Sequence, residues 1–435
     1  MGRTSRKRRR KKKLNVTEVA ENEEESLTHL KSWLFKNNCL SISNLVPSNF
    51  SVTGRGLKTL GNINVDDVLI RVPYKILITT STISQCDIKR MFSKNECYSA
   101  QCILSIFLIY ESHLGNASRW CHYINSLPQT LTNPDFCTQK EKNLLPAFIV
   151  DYMYESHKIQ NDFRVLIGFM NSAGLNGQAN CPHCNAQFLK IITFERYKWA
   201  YYIVNTRAVY IDADQVESNR DIPNIKRPNN LALAPYLDLF NHDIRSATRA
   251  SVVTDEKGDK FYELSTLKSF DKGSQVFINY GAHNSLKLYV HYGFFIPNNP
   301  LDEVYFDISD IEVYLAIPKF KLDFIVFNKL QRNMGFTREG LNYNAKSVLF
   351  VSSTKLQKEQ WSTKIYGDSF TAEDVSDTYS IAKNVLDLKR NELMDNLQNM
   401  KSLKHCTQCF SIAISLVEEY IAILTESYNN LCTFE

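Results

Sequence analysis

The chain has 435 residues, with 51 Lys and Arg against 46 Asp and Glu, a formal net charge of +5. Nine of the basic side chains stand in residues 1–13 (MGRTSRKRRRKKK), so the rest carries 42 basic against 46 acidic residues, about −4. A protein that coats nucleic acid spreads its charge over a folded face, so that class is disfavoured, and no direct sequence-specific nucleic-acid binding is expected. With 44% hydrophobic and 22% charged residues the chain is expected to fold around a core, and its length suggests two or three domains.

Residues 1–26 carry the basic run and end in an acidic cluster, ENEEES, with little apolar content. They read as a disordered tail whose basic run would engage the import machinery. No apolar segment follows the run, which argues against a secretory signal, and Arg6 stands where a myristoylation signal needs Ser or Thr. The longest apolar stretch, Cys102 to Tyr110 (CILSIFLIY), falls short of the ~18–20 residues a membrane span needs, so no membrane association is expected. The expected location is nucleus and cytoplasm.

Residues 27–36 have the spacing of a short amphipathic helix. From Val52 the pattern turns to short β segments: the Gly-rich TGRGLKTLG, then Val68–Val72, then Ile76–Thr79. Between about 99 and 210 the period is helical, with Ala100, Ile103, Leu104, Phe107 and Tyr110 on one face and Ile192, Trp199, Tyr202 and Ile203 on another. Residues 248–254 and 260–266 flank a DEKGD turn as a hairpin, and Gln275–Asn279 follows as a strand. From about residue 310 the chain is helical again, with Ala382, Val385, Leu386, Leu393 and Leu397 in one stripe. The class is therefore α+β: a tail over 1–26, a β-rich domain over 27–300 with a helical insertion at about 99–210, and an all-α domain over 301–435.

The eleven cysteines are an odd number in a chain expected in a reducing compartment, so they read as thiols. Four form two CxxC pairs, Cys181-Pro-His183-Cys184 and Cys406-Thr-Gln-Cys409, more than 200 residues apart. A structural zinc commonly takes two such pairs close in sequence, so these read as a turn between helices and as core packing, and no metal site is expected. A zinc-dependent nucleic-acid binder is the weakest reading of the chain.

Four segments stand out in a fixed order: Thr53-Gly54-Arg55-Gly56-Leu57, Asn205-Thr206-Arg207, the run LALAPYLDLFNHD ending on Asn241-His242-Asp243 with Asp238 inside it, and QVFINYGAHNSLKLYVHYGFF over 275–295. Twice in the last segment a Tyr-Gly pair, Tyr280-Gly281 and Tyr292-Gly293 before Phe294, ends an element. Each alone has a structural explanation, such as a capped turn or a core tyrosine. Together, VNTRAVY, LAPYLDLFNH and VFINYGxxxNxxLxxxYGF resemble the SET-domain protein methyltransferases of the class typified by the Rubisco large-subunit lysine methyltransferase.

That resemblance implies a β-rich SET domain with a helical insertion, in which the segments carrying Asn241-His242 and Tyr280 pack together in a knot-like threading, and a helical substrate-binding domain after it. It implies an S-adenosylmethionine-dependent protein-lysine N-methyltransferase acting on a protein, histone or other, that presents a lysine. Cofactor contacts would come from Gly54, Arg55, Gly56, Arg207 facing the methionine carboxylate, Asn241, His242, Tyr280 and Phe294. Tyr280 and Tyr292 would line the catalytic channel, and Asp238, Tyr280 and Tyr292 would meet the substrate. Asp243 stands where the family usually has Ser, Ala282 where many members have Pro, and Thr53 where Glu or Gly is common. The competing readings are a histidine-directed methyltransferase and a catalytically silent SET-like scaffold that binds chromatin or another partner.

Overall fold

The computed structural model describes residues 25–39, 44–92, 95–156, 159–172, 180–216, 222, 224–367 and 369–432. The basic run at 1–13 lies outside the described residues. The chain forms two compact units, one from residues up to Leu131 together with His157–Ala282, the other from Thr132–Ser156 together with His283–Glu435.

The strands described in the first unit are β1 (Leu45–Phe50), β2 (Gly54–Thr59), β3 (Val68–Pro73), β4 (Ala208–Tyr210), β5 (Leu231–Leu233), β6 (Asn241–His242), β7 (Thr248–Thr254), β8 (Lys260–Thr266) and β9 (Gln275–Ile278). One sheet has the order β1-β2-β9-β6. Here β2 meets β9 antiparallel, with Leu57 opposite Val276, while β6 runs parallel to β9, with Asn241 opposite Phe277 and His242 opposite Ile278. The parallel pair brings the Asn-His segment beside the strand that delivers Tyr280. A second sheet, β3-β8-β7, contains the expected hairpin, with Thr254 opposite Lys260 and Gly258 at φ 85° inside the turn. The strand expected at Ile76–Thr79 does not form. Pro73 ends β3, a single 3₁₀ turn (Tyr74–Ile76) follows, and only Ile78 pairs, through one bridge to Leu233.

Two helices of this unit frame the insertion. Helix α1 (Ala100–Leu114) is capped by Ser99, whose side chain accepts from the Cys102 amide, and helix α2 (Phe194–Arg207) by Thr193, which accepts from the Arg196 amide. Helix α1 is buried on almost every side, so its apolar residues run well beyond one stripe. The end of α2 passes directly into β4, placing Arg207 at a helix-to-strand junction.

The second unit is predominantly helical, with α3 (Tyr343–Ser353), α4 (Ala372–Lys401) and α5 (Gln408–Cys432). Its core joins Leu349, Phe350, Val385, Leu386, Phe410 and Leu416 to Tyr289 and Val290 and to Leu145 and Ile149. That packing is why the unit begins at His283, ahead of the boundary read at 300, and why residues 132–156 of the insertion belong to it. It also holds a small sheet of β10 (Val304–Tyr305), β11 (Gly335–Thr337) and β12 (Gly340–Leu341), strands too short to leave an alternating pattern in the sequence. Helix α5 is long and apolar enough, by length and composition, to cross a membrane. Its Cys409, Ala413, Leu416, Tyr420 and Leu424 are buried in this core, the face its spacing predicts.

Candidate active site

The site in the first unit is built on the neighbouring strands β2, β9 and β6. Gly54 opens β2 at φ 66°, a left-handed backbone that suits glycine, and a Cβ there would meet nothing within 4 Å. At Gly56 the opposite holds: a Cβ would lie 2.5 Å from Gln275 Nε2 and 2.7 Å from Asn241 Nδ2. The missing side chain lets Asn241 reach across and donate to the Arg55 carbonyl at 3.0 Å and the Thr53 carbonyl at 3.4 Å. Thr53 in turn donates its hydroxyl to Gln275 Oε1 at 2.9 Å, and Arg55 Nη2 donates to the Ser126 carbonyl at 3.1 Å. The main chain of residues 53–56 is thus fixed from two strands while Gly54 stays bare.

Tyr280 is held at both ends. Its backbone amide donates to His242 Nδ1 at 3.0 Å, its ring stacks on the His242 imidazole with centroids 5.1 Å apart, and its hydroxyl donates to the Phe240 carbonyl. His242 is buried, so the stack fixes the tyrosine against a fixed neighbour. Beyond it Gly281 sits at φ 125°, and its amide donates to Asn279 Oδ1 at 2.8 Å.

Arg207 and Asp238 form a buried ion pair. Arg207 Nη1 donates to Asp238 Oδ2 at 2.9 Å and to the Asp238 carbonyl at 3.1 Å, and the Tyr123 hydroxyl donates to the same Oδ2 at 3.1 Å. The Asp238 side chain is only 2% exposed. Burial works against the guanidinium charge, but Asp238, Tyr123 and the nearby Tyr280 outweigh it and hold Arg207 above its ordinary pKa. The Tyr123 phenol is pushed well above its ordinary value by burial first and then by Asp238. Asp238, read as a substrate contact, has its carboxylate hydrogen-bonded by Arg207 and Tyr123. Sequence reasoning missed Tyr123, 115 residues from Asp238, because a core tyrosine in a helical stretch carries no local signal.

This chain is similar over nearly its whole length to proteins named SET domain-containing protein 4: the one from Artemia parthenogenetica is 29% identical over 418 residues, 93% of this chain and 97% of that protein. No family model matches. A solved structure of the SET domain of LSMT bound to lysine and AdoHcy superposes with a TM-score of 0.61 at 19% identity, covering 94% of this chain and 91% of that one. The chain has the SET fold. The Actin-histidine N-methyltransferase of Mus musculus is 27% identical over 301 residues, 68% of this chain but 47% of that protein. That relative is named for methyl transfer to a histidine.

Within this SET-fold chain, Gly54, Arg55, Gly56, Arg207, Asp238, Asn241, His242 and Tyr280 all fall in the first unit, and Tyr292 and Phe294 fall in the second. There Tyr292 stacks on His283 with centroids 5.8 Å apart and meets the Phe294 ring edge-on at 6.3 Å. Burial pushes its phenol up. Gly293 ends the π-type turn Leu288–Tyr292 at φ 78°; a Cβ there would lie 2.6 Å from Thr132 Oγ1, which donates to the Gly293 carbonyl.

Proposed function

We propose that the protein is an S-adenosylmethionine-dependent protein methyltransferase whose target is a lysine side chain of a protein substrate. The observation that carries this reading is the Gly54–Gly56 main chain, bare on one side and clamped by Asn241 on the other, beside a tyrosine immobilised by His242 and Phe240. The fit to the cofactor rests on the open space at Gly54 and on the donor set around it. When bound, S-adenosylmethionine supplies a methyl group on a sulfonium that an amine displaces directly, so the protein's task is alignment more than acid–base chemistry.

The residues divide that task. The main chain at Gly54, where no side chain intervenes, is the part left open to the cofactor, while the Asn241 side chain holds the Thr53 and Arg55 carbonyls. Arg207 spends one nitrogen on Asp238; its other N–H groups are the donors suited to a carboxylate, so Asp238 and Tyr123 are positioning residues for Arg207. Tyr280 presents an aromatic wall and a hydroxyl of fixed direction to the incoming amine. A free lysine of pKa ~10.4 is about 3.4 units from neutral at pH 7, roughly 4–5 kcal/mol, and a dry aromatic setting lowers that cost.

The test is transfer of labelled methyl from S-adenosylmethionine into nuclear and cytosolic extracts, with the modified residue mapped by mass spectrometry. Tyr280→Phe is expected to cut transfer at least about tenfold, since misalignment at this step is costly, while cofactor binding changes little. Equal transfer by the variant would remove Tyr280 from the mechanism. A histidine-directed activity is the second reading, carried by the likeness to the actin-histidine enzyme; a mapped methyl-histidine would establish it in place of lysine. A folded chain that binds no cofactor would support the silent scaffold instead.

A further inference from the structure

Helix α1 and the Cys181–Cys184 turn, 67 residues apart at their closest points in sequence, meet in the first unit at a point that the methyl-transfer reading leaves unused. His113 lies in the last turn of α1, and its Nε2 is 3.1 Å from Cys184 Sγ. Cys181 Sγ joins them, so one ligand atom from each of His113, Cys181 and Cys184 lies within 4.8 Å of the others. The turn itself is closed: the Cys181 amide donates to the Ala186 carbonyl at 2.8 Å, the Asn185 amide returns to the Cys181 carbonyl at 2.8 Å, and Asn185 adopts φ 59°. Asn180 bridges Gln187 across its base. Cys181 is fully buried while Cys184 is exposed, so the two thiols face a common point from inside and from the surface.

We propose that His113, Cys181 and Cys184 bind a zinc ion. Two sulfurs and an imidazole nitrogen are soft and borderline donors that select zinc over magnesium or calcium, which require oxygen. Among the described residues three side chains meet at this point, which leaves the fourth tetrahedral position to solvent on the exposed Cys184 side. Binding forms one Zn–N and two Zn–S bonds and releases both thiol protons to solvent. A second indication is Tyr110, one turn earlier on α1. Its hydroxyl is buried with no hydrogen-bond partner among the described residues. The other cluster of metal-type side chains, Cys137, Glu141 and Cys409 in the second unit, is already satisfied: the Glu141 carboxylate accepts from the amides and hydroxyls of both Thr138 and Thr407. A zinc ion at His113 would fasten the end of α1 to the 180–187 turn and so brace the insertion that carries α2 and Arg207.

The test uses the full chain, equilibrated with zinc under reducing conditions, desalted, and assayed by elemental mass spectrometry. About one zinc per chain is expected, and cobalt(II) in its place should give a thiolate charge-transfer band. Cys184→Ser, at an exposed position that leaves the core intact, and His113→Ala should each cut the retained metal at least about tenfold. Cys406→Ser, in the other CxxC pair, should leave it unchanged. A native chain with reduced thiols that retains no zinc and gives no cobalt band overturns the proposal, as does a Cys181–Cys184 disulfide found by peptide mapping, or metal that survives both ligand variants. None of these readouts depends on methyl transfer, so the site stands or falls apart from the activity.

Discussion

Asp302 is a carboxylate that the fold holds against its ordinary chemistry. It is 3% exposed; one oxygen accepts from the Ser285 amide at 2.5 Å, and the other has no partner among the described residues. Burial pushes its pKa up to about 6, with Glu419 adding to the shift and the Ser285 bond and Arg338 opposing it. An unfolded Asp titrates near ~3.9, so between about pH 4 and 6 the folded chain keeps a proton that the unfolded chain releases. The stability this contributes is full below the unfolded value and is lost as pH rises through about 6. A shift of this size corresponds to roughly 2–3 kcal/mol. The stability of the native protein relative to Asp302→Asn, followed by urea denaturation, should therefore decline by about 2 kcal/mol from pH 4 to 7. A difference that is flat with pH would show that Asp302 does not titrate in this range. The bond to Ser285 matters beyond stability, because Ser285 opens the short helical segment that ends at Tyr292.

At the scale of elements, β2 carries glycine at position 56, which leaves room for the Asn241 side chain from β6. Gly56→Ala should force Asn241 and Gln275 aside, since its Cβ would meet them at 2.7 and 2.5 Å, and break the Asn241 bond to the Arg55 carbonyl. The displaced atoms are ends of flexible side chains, so the stability cost should stay near about 1–2 kcal/mol. Cofactor affinity, measured by calorimetry, should fall at least about tenfold, which is only ~1.4 kcal/mol. Gly168→Ala, in the helix Ile159–Ser172 with open space around it, is the control and should leave affinity unchanged; equal losses in both would detach β2 from the cofactor. This arrangement was partly legible in sequence. The β7–β8 hairpin announced itself through alternation and a Gly-containing turn, and the stripe of α4 through its period, because both signals are local. The motif residues around Gly54, Asn241 and Tyr280 could be singled out, but neither the Asn241 clamp nor the stack of His242 on Tyr280 could, since each joins residues 38 or more positions apart. The same holds for Tyr123 with Asp238, and for His113, 71 positions from Cys184. A side chain's partner across such a distance is set by the sheet order and by helix packing, which no local pattern encodes.

For the whole molecule, charge divides the chain more sharply than its total suggests. The nine basic residues of positions 1–13 account for more than the entire +5, and the remaining chain is at about −4. An acidic body suits a basic, lysine-bearing protein segment better than nucleic acid, because like charge repels a phosphate backbone over about a Debye length, ~8 Å at physiological salt. We propose that the basic run serves import into the nucleus and takes no part in the transfer step. Deleting residues 1–13 should then shift a fluorescently tagged chain from nucleus toward cytoplasm, while methyl transfer to a short lysine peptide in the tube keeps its rate. The rate should also respond to salt in the same way with and without the tail, since any steering of a basic peptide would come from the acids of the body, and screening acts on that field alone. A truncated chain that stays nuclear would separate the run from import. One that loses peptide transfer, or whose salt dependence disappears, would place the tail's charge within reach of the substrate and return it to the chemistry.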